Sequence, residues 1–337
     1  MSSTLSQAGG RLPATRTGGG WKRPALTFVS RYGTIIGLLL MVAFFTINAP
    51  DKFFTIANAL NILSQASLTA IIAAGLTYTL VVGEFDLSIG NVASFVGLIV
   101  CGLMANQGLP IWVAIALALA LGVGIGSLNG ALVTKVRINA VIATIGVGTT
   151  LAGIGFAYSS FPIAAGVPRD FIMISVGRTF GVPNPVYIMI AVLVVLWVIL
   201  NKTDIGQKMQ AVGSNIEAAR LSGIRVDRIK MFAFATAGFC SALTGTLLSS
   251  LLGSGTLAAA DGYLLDAFAA VFLGSATVRE GEFHIVGTLV GVLILAVGFN
   301  GLSIFGAPTY FQPIFKGGIL VLAVGMSALA RRYAASV

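Results

Sequence analysis

Little in this chain could do chemistry: 11 carboxylates, one histidine and two cysteines are spread over 337 residues. His284 stands alone, so a His-Asp catalytic pair or a histidine-based metal site lacks a second member. No Ser-His-Asp arrangement, no His-Glu-x-x-His and no acidic cluster of calcium-loop spacing occurs. Cys101 and Cys240 lie in separate apolar runs without Cys-x-x-Cys spacing, which suits packing better than a disulfide or a metal. There is no Gly-Lys-Ser/Thr phosphate loop, nor even a Gly-Lys dipeptide. Catalysis within this chain is therefore not expected, and any ATP used is bound elsewhere.

The acids that remain of interest flank apolar runs. Asp86 and Ser88 precede one, where they can satisfy the free N–H groups at a helix start. An ionisable residue at membrane depth is also a default marker of a solute pathway. Both readings stay open for Asp86 and Ser88, with Phe85 and Glu84 beside them. Asp266, between Leu265 and Ala267, divides in the same way between a helix-end cap and a pathway residue. His284, at the start of another apolar run, reads as an interfacial residue.

The most polar internal stretch is Gly213 to Gly223, GSNIEAARLSG. Glu217, Ala218, Ala219 and Arg220 are helix formers; Ser214 and Asn215 are candidate caps, and Gly223 is a candidate stop. A short capped helix in a loop can dock into a groove of a soluble partner and pass on a rigid-body push. It can equally be a solvated amphipathic helix.

The elements that must position these residues are membrane spans. Hydrophobic residues make up 57% of the chain and charged ones 9%, beyond what a soluble domain carries. Apolar stretches of roughly 20 residues are needed to span, and ten candidates occur. Five fill the first half, near 33–47, 64–82, 87–105, 110–133 and 138–158. After a loop from Ser159 to Asn184 come 185–200, 231–252, 267–276 with its approach from Tyr263, 284–301 and 313–330. The net charge of +9 comes from short basic clusters between apolar runs, the distribution of cytoplasmic loops and not of a nucleic-acid surface.

With the first residues inside, sixteen of the 20 Lys and Arg fall on the cytoplasmic side, among them Lys135, Arg137, the six between Lys202 and Lys230, and Arg331 with Arg332. Only Lys52, Arg169, Arg178 and Lys316 fall opposite. The fold class expected is an all-α polytopic membrane protein of about ten helices with both termini cytoplasmic. Residues 1–30 read as a disordered tail, 31–332 as one transmembrane domain, and 201–230 as its cytoplasmic segment. Gly122, Gly126 and Gly130 recur every fourth residue, and Gly287 pairs with Gly291, spacing that lets helices approach closely in lipid. Gly146, Gly148 and Gly153 can mark a bent or discontinuous helix.

The run from Ala211 to Lys230, AVGSNIEAARLSGIRVDRIK, closely resembles the coupling segment of bacterial ABC-importer permeases of the ribose, xylose and autoinducer-2 type, the carbohydrate-uptake second family. GEFDLSIG (83–90), INAVIATIG (138–146), DGYLLDAFAAVFLG and HIVGTLVG resemble further motifs of that family, in order, from about Phe53 to Gly325. Two departures stand out. Where the family has Gly-Tyr-Glu-Leu-Asp this chain has Gly262-Tyr263-Leu264-Leu265-Asp266, and where Gly-Gly-Ile-Asp is common it has Gly83-Glu84-Phe85-Asp86.

The resemblance implies a multi-pass inner-membrane pore made of two permease subunits, identical or related. It further implies a cytoplasmic double-module ATPase that binds ATP and Mg, and a periplasmic binding protein that delivers a monosaccharide or small polyol. Gly213, Asn215, Glu217, Ala218, Ala219, Arg220, Ser222 and Gly223 would then contact the ATPase, and Phe85, Asp86, Ser88 and Asp266 are candidates for the pathway or gate. Two other readings compete: an autonomous ion-coupled carrier or channel with Asp86 and Asp266 as coupling acids, and a membrane scaffold that transports nothing.

Overall fold

In hydrocarbon every backbone N–H and C=O must find its partner inside the protein, so stretches apolar on all sides become helices. The computed structural model describes residues 22–275, 281–321 and 325, and they form an all-α bundle. In chain order the elements are α1 (Lys22–Asn48), α2 (Pro50–Phe53), α3 (Ile56–Val81), α4 (Ile89–Ala105), α5 (Ile111–Thr134), α6 (Ala140–Tyr158) and α7 (Arg169–Val176). A two-residue antiparallel hairpin follows, β1 (Arg178–Thr179) with β2 (Val182–Pro183). Then come α8 (Asn184–Lys202), α9 (Asp204–Ser214), α10 (Ile216–Leu221), α11 (Val226–Leu252), α12 (Asp261–Ser275) and α13 (Ile285–Ile304). Residues 311–321 are also helical.

Among the described residues, α3, α5, α6, α8, α11 and α13 are long and apolar enough to cross a bilayer. Two further apolar stretches are shorter, Gly33–Asn48 and α4. Several ends differ from the sequence reading. α1 begins at Lys22, inside the stretch read as tail, and residues 1–21 lie outside the described residues. α3 starts at Ile56 because Thr55 caps it, its Oγ1 accepting from the Asn58 N–H at 3.1 Å. The loop from Ser159 to Asn184 carries α7 and the hairpin. The last expected span is described only at 311–321 and 325.

α11 is the central rod, packed against α3, α4, α5 and α7. The glycines spaced by four on α5 make this possible. A methyl group on Gly126 would overlap the Phe234 carbonyl, and one on Gly122 would overlap Ala242 and the Gly238 carbonyl. Gly130 lies against Met231 in the same way. Gly287 and Gly291 stand against Gly274 and Ala270, closing α13 onto α12. By contrast α6 runs unbroken through Gly146, Gly148 and Gly153, so the discontinuity those glycines could have marked is absent: Gly146 and Gly153 face open space, and Gly148 meets Asn91. Buried Cys240 packs against Gly75 of α3, in line with a packing role.

Polar side chains also tie α3 to α13. Asn58 and Asn300 exchange two amide hydrogen bonds of 3.0 and 2.8 Å, and the hydroxyls of Thr77 and Thr288 meet at 2.8 Å. Such bonds hold helices together where no hydrophobic drive exists between them.

Irregular backbone does enter the bundle, but in two places that the glycine pattern does not flag. Residues 82–88 lead from α3 into α4. After α11, Gly253 turns in the left-handed region (φ +65°), and the chain doubles back along α4. Gly255 lies against Gly97 and Leu98, and the Ala260 N–H donates to Ser94 Oγ at 2.9 Å. Gly90 in the first turn of α4 faces Ala260 and Asp261. Two helix starts, those of α4 and α12, therefore meet inside the protein. α12 has only 15 residues, and part of its path is covered by the turns of 253–260, which the surrounding helices shield from lipid.

Candidate functional site

The segment singled out in the sequence folds as two short helices joined at a single residue. The Thr203 hydroxyl accepts from the Gly206 N–H at 3.3 Å and starts α9. Asn215 ends α9 and caps α10, its Oδ1 accepting from the Ala218 N–H at 3.0 Å. Of the two caps expected, Asn215 is the one used; Ser214 is the last residue of α9, and its hydroxyl donates to the Gln210 carbonyl. Gly223 ends α10 at φ +78°, a left-handed conformation open to glycine at little cost. The next amide, Ile224 N–H, donates back to the Ala219 carbonyl at 3.1 Å.

Among the expected docking residues, Ala219 is buried, whereas Glu217, Ala218, Arg220, Ser222 and Gly223 are exposed. Glu217 and Arg220 form a loose ion pair of 3.9 Å in solvent. Leu221, not singled out in the sequence, is 89% exposed and forms an apolar tip between them. Gly213 has a different place. It lies against the Val81 carbonyl so closely that a methyl group there would overlap the oxygen. The end of α9 is thus seated directly on the end of α3.

Immediately beyond Val81 comes the turn that holds Phe85, Asp86 and Ser88. Gly83 (φ +81°) closes α3, with the Gly83 and Glu84 amides donating to Leu80 and Thr79. Asp86 is buried, and its Oδ1 accepts from the Ser88 N–H at 2.9 Å and the Ser88 hydroxyl at 2.6 Å. The Ser88 hydroxyl accepts in turn from Asn129 Nδ2 of α5 at 2.8 Å, and the Leu87 N–H donates to Thr144 Oγ1 of α6 at 3.1 Å. The capping expectation holds in part. Asp86 satisfies the Ser88 N–H, while Ser88, at the N-cap position of α4, makes no side-chain cap bond of its own. Glu84 pairs with Lys230 of α11.

Phe85 stacks on Phe268 of α12, ring centres 6.2 Å apart and planes at 17°, and Phe268 stacks on Phe272. Two residues before Phe268 stands Asp266. It is not a cap at an exposed helix end, since it lies within α12 and meets Lys316 Nζ at 2.7 Å with both side chains largely covered. This pair borders a cavity of about 480 Å³ between α3, α12, α13 and residues 311–321. Asp86 and Asp266 therefore occupy separate settings, one inside a closed hydrogen-bonded turn, the other at an open cavity.

Sequence reasoning missed Asn129 as the partner of Ser88, Thr144 as the partner of the Leu87 N–H, and Lys316 as the partner of Asp266. The signal was available for the first two, as polar residues interrupting apolar runs. Lys316 counted only as a loop charge, because its helix neighbours say nothing of Asp266.

The chain belongs to the family described as branched-chain amino acid transport system / permease component, whose model matches residues 58–324. It is 38% identical to the ribose import permease protein of Haemophilus influenzae over 301 residues, 88% of this chain and 93% of that protein. The ribose import permease protein of Bacillus subtilis is also 38% identical, over 298 residues, 88% of this chain and 92% of that one. The D-allose transport system permease protein of Escherichia coli K12 is 29% identical over 302 residues, 90% and 93% of the two chains. No solved structure matches. The resemblance seen in the motifs is thus borne out along the chain, and with six helices among the described residues long and apolar enough to span, this is a multi-pass permease of the inner membrane.

Proposed function

We propose that this chain is the pore-forming subunit of an ATP-driven ABC importer for a monosaccharide, a ribose-like pentose or a related small polyol or sugar. The observation that carries the reading is the α9–α10 pair: a capped, solvent-exposed element with an apolar tip at Leu221, seated through Gly213 on the end of α3. Such an element transmits force from a partner's groove to the bundle without chemistry of its own. The family and the names of the relatives support the solute class.

In this reading the chain crosses the membrane ten times, with both termini and the 201–230 segment in the cytoplasm. A tail within residues 1–30 precedes a single permease domain over 31–332. A second permease subunit completes the pore, a separate double-module ATPase binds ATP and Mg, and a periplasmic binding protein delivers the solute. The docking contacts are Asn215, Glu217, Ala218, Arg220, Ser222 and Gly223, with Leu221 added by its exposure, while Gly213 and buried Ala219 seat the segment on the chain's own bundle. Phe85, Asp86, Ser88 and Asp266 border the path.

Reconstitution tests this directly. In liposomes the chain alone is expected to pass no D-ribose; with a matching double-module ATPase and sugar-binding protein added, uptake is expected and requires ATP. Solute flux through the chain alone would instead make it an autonomous carrier or channel.

A further inference from the structure

The geometry points to the cavity beside Asp266 and Lys316 as a binding site for a neutral polyhydroxyl molecule, a station for the sugar inside the permease itself. This inference rests on the sugar-import reading and gives it a place.

Size is the first argument. About 480 Å³ falls within the range of roughly 300–1,000 Å³ in which small-molecule sites lie. Position is the second. Gln65 lines the cavity and Val81 meets α9 at the other end of the same helix, about 24 Å away at 1.5 Å per residue. The cavity thus lies towards the end of the bundle remote from the coupling segment, and α3 joins the two. Its wall includes Ala259, in the turns through which the chain re-enters the bundle, and Gly262 and Tyr263 in the first turn of α12. Unwound segments of that kind are where carriers place their solutes.

The lining chemistry selects the ligand class. Among the described residues, Asp266 and Lys316 are the only charged ones on the wall and neutralise each other, so neither an anion nor a cation finds net attraction. Both retain bonding capacity. Asp266 Oδ1 meets Lys316 Nζ at 2.7 Å and Lys316 Nζ donates to the Gly262 carbonyl at 3.2 Å, which leaves further lone pairs on the carboxylate and a third donor on the ammonium. A hydroxyl group can donate to the carboxylate and accept from the ammonium at once. The amides of Gln65 and Gln312 offer further donor and acceptor pairs, and the Phe299 ring supplies an apolar face. Many alternating hydroxyls and one apolar face describe a sugar or polyol.

The test is site protection in the purified full-length chain held in nanodiscs. Cys101 and Cys240 are buried, which leaves little background for a thiol reagent. In Gln65→Cys, saturating D-ribose is expected to slow labelling by a polar maleimide about fivefold, the effect of ligand at about four times its dissociation constant. D-Ribose 5-phosphate is expected to give no protection, and neither sugar should protect Phe180→Cys at the exposed hairpin tip. The pair Asp266→Leu with Lys316→Met, which replaces the ions by apolar groups of similar size, is expected to stay folded and to lose the protection. Equal labelling of Gln65→Cys with and without D-ribose overturns the site, as does protection that survives the apolar pair. ATP-driven uptake measured alongside separates the two ideas: uptake without protection removes this site alone, and protection without uptake removes the importer reading alone.

Discussion

Lys230 in the first turns of α11 forms an ion pair with Glu84 in the turn that ends α3, across 146 positions of sequence. Both side chains are largely covered, at 13% and 17% exposure. The pair clamps the turn carrying Asp86 to the helix that follows α9 and α10, so a movement of α9 and α10 would reach that turn through two contacts, Gly213 on Val81 and Lys230 on Glu84.

Lys230→Met should leave Glu84 with a charge that is partly buried and unpaired. The expected loss is about 1–3 kcal/mol, below that for a fully buried pair because water still reaches the site. A double-mutant cycle with Glu84→Gln, read by thermal unfolding in detergent, measures it. The double variant is expected to recover part of the loss; strict additivity would show that the two residues act independently.

Gly213→Ala places a methyl group on the Val81 carbonyl. Because the overlap is with backbone, α9 must move, and ATP-linked uptake is expected to fall at least about tenfold with strain of about 1–3 kcal/mol behind it. Gly223→Ala meets no neighbour but must hold φ +78°, at a cost of about 1 kcal/mol, so a milder loss is expected. Uptake assays of the two variants side by side decide whether seating on α3 or the end of α10 matters more.

Leu221→Asp removes an apolar tip that touches little of the chain itself. Stability is expected to change by less than about 0.5 kcal/mol, as for surface positions generally. Co-purification of the ATPase should nonetheless fail, and Glu217→Ala should weaken it. Full retention of the ATPase by Leu221→Asp would remove this surface as the docking site.

Gly124 and Gly126 are two residues apart on α5 and predict opposite outcomes. Gly126→Ala drives a methyl group into Phe234 and should destabilise the α5–α11 pair by about 1–3 kcal/mol. Gly124 faces open space, so Gly124→Ala should be neutral or stabilising by up to about 1 kcal/mol through helix propensity. Thermal unfolding of the two variants checks the sign.

Asn300→Leu would strand the amide of Asn58, which now exchanges two hydrogen bonds with it. Interhelical polar bonds in membranes contribute about 0.6–2 kcal/mol, and a loss in that range is expected by unfolding assays.

How much was legible from the residues alone follows the range of each interaction. Apolar runs announce spanning helices, since a helix in lipid satisfies its own backbone. Asn215 and Gly223 announce the ends of α10, since a cap acts over three residues and a left-handed φ is a property of one. The glycines spaced by four foretold close helix contact, though not which helix would arrive. Motif order sufficed to identify the family.

Tertiary structure alone decided who meets whom. That Asp266 faces Lys316 at a cavity, that Ser88 receives Asn129, and that α12 begins beside Gly90 after irregular chain has doubled back are matters of packing between elements far apart in sequence. A carboxylate carries no local mark of the cation it will meet. The choice is made when whole helices fit ridge to groove, with glycines setting the distance, and only then does the chain acquire a polar cavity towards one end of α3 and the α9–α10 pair at the other.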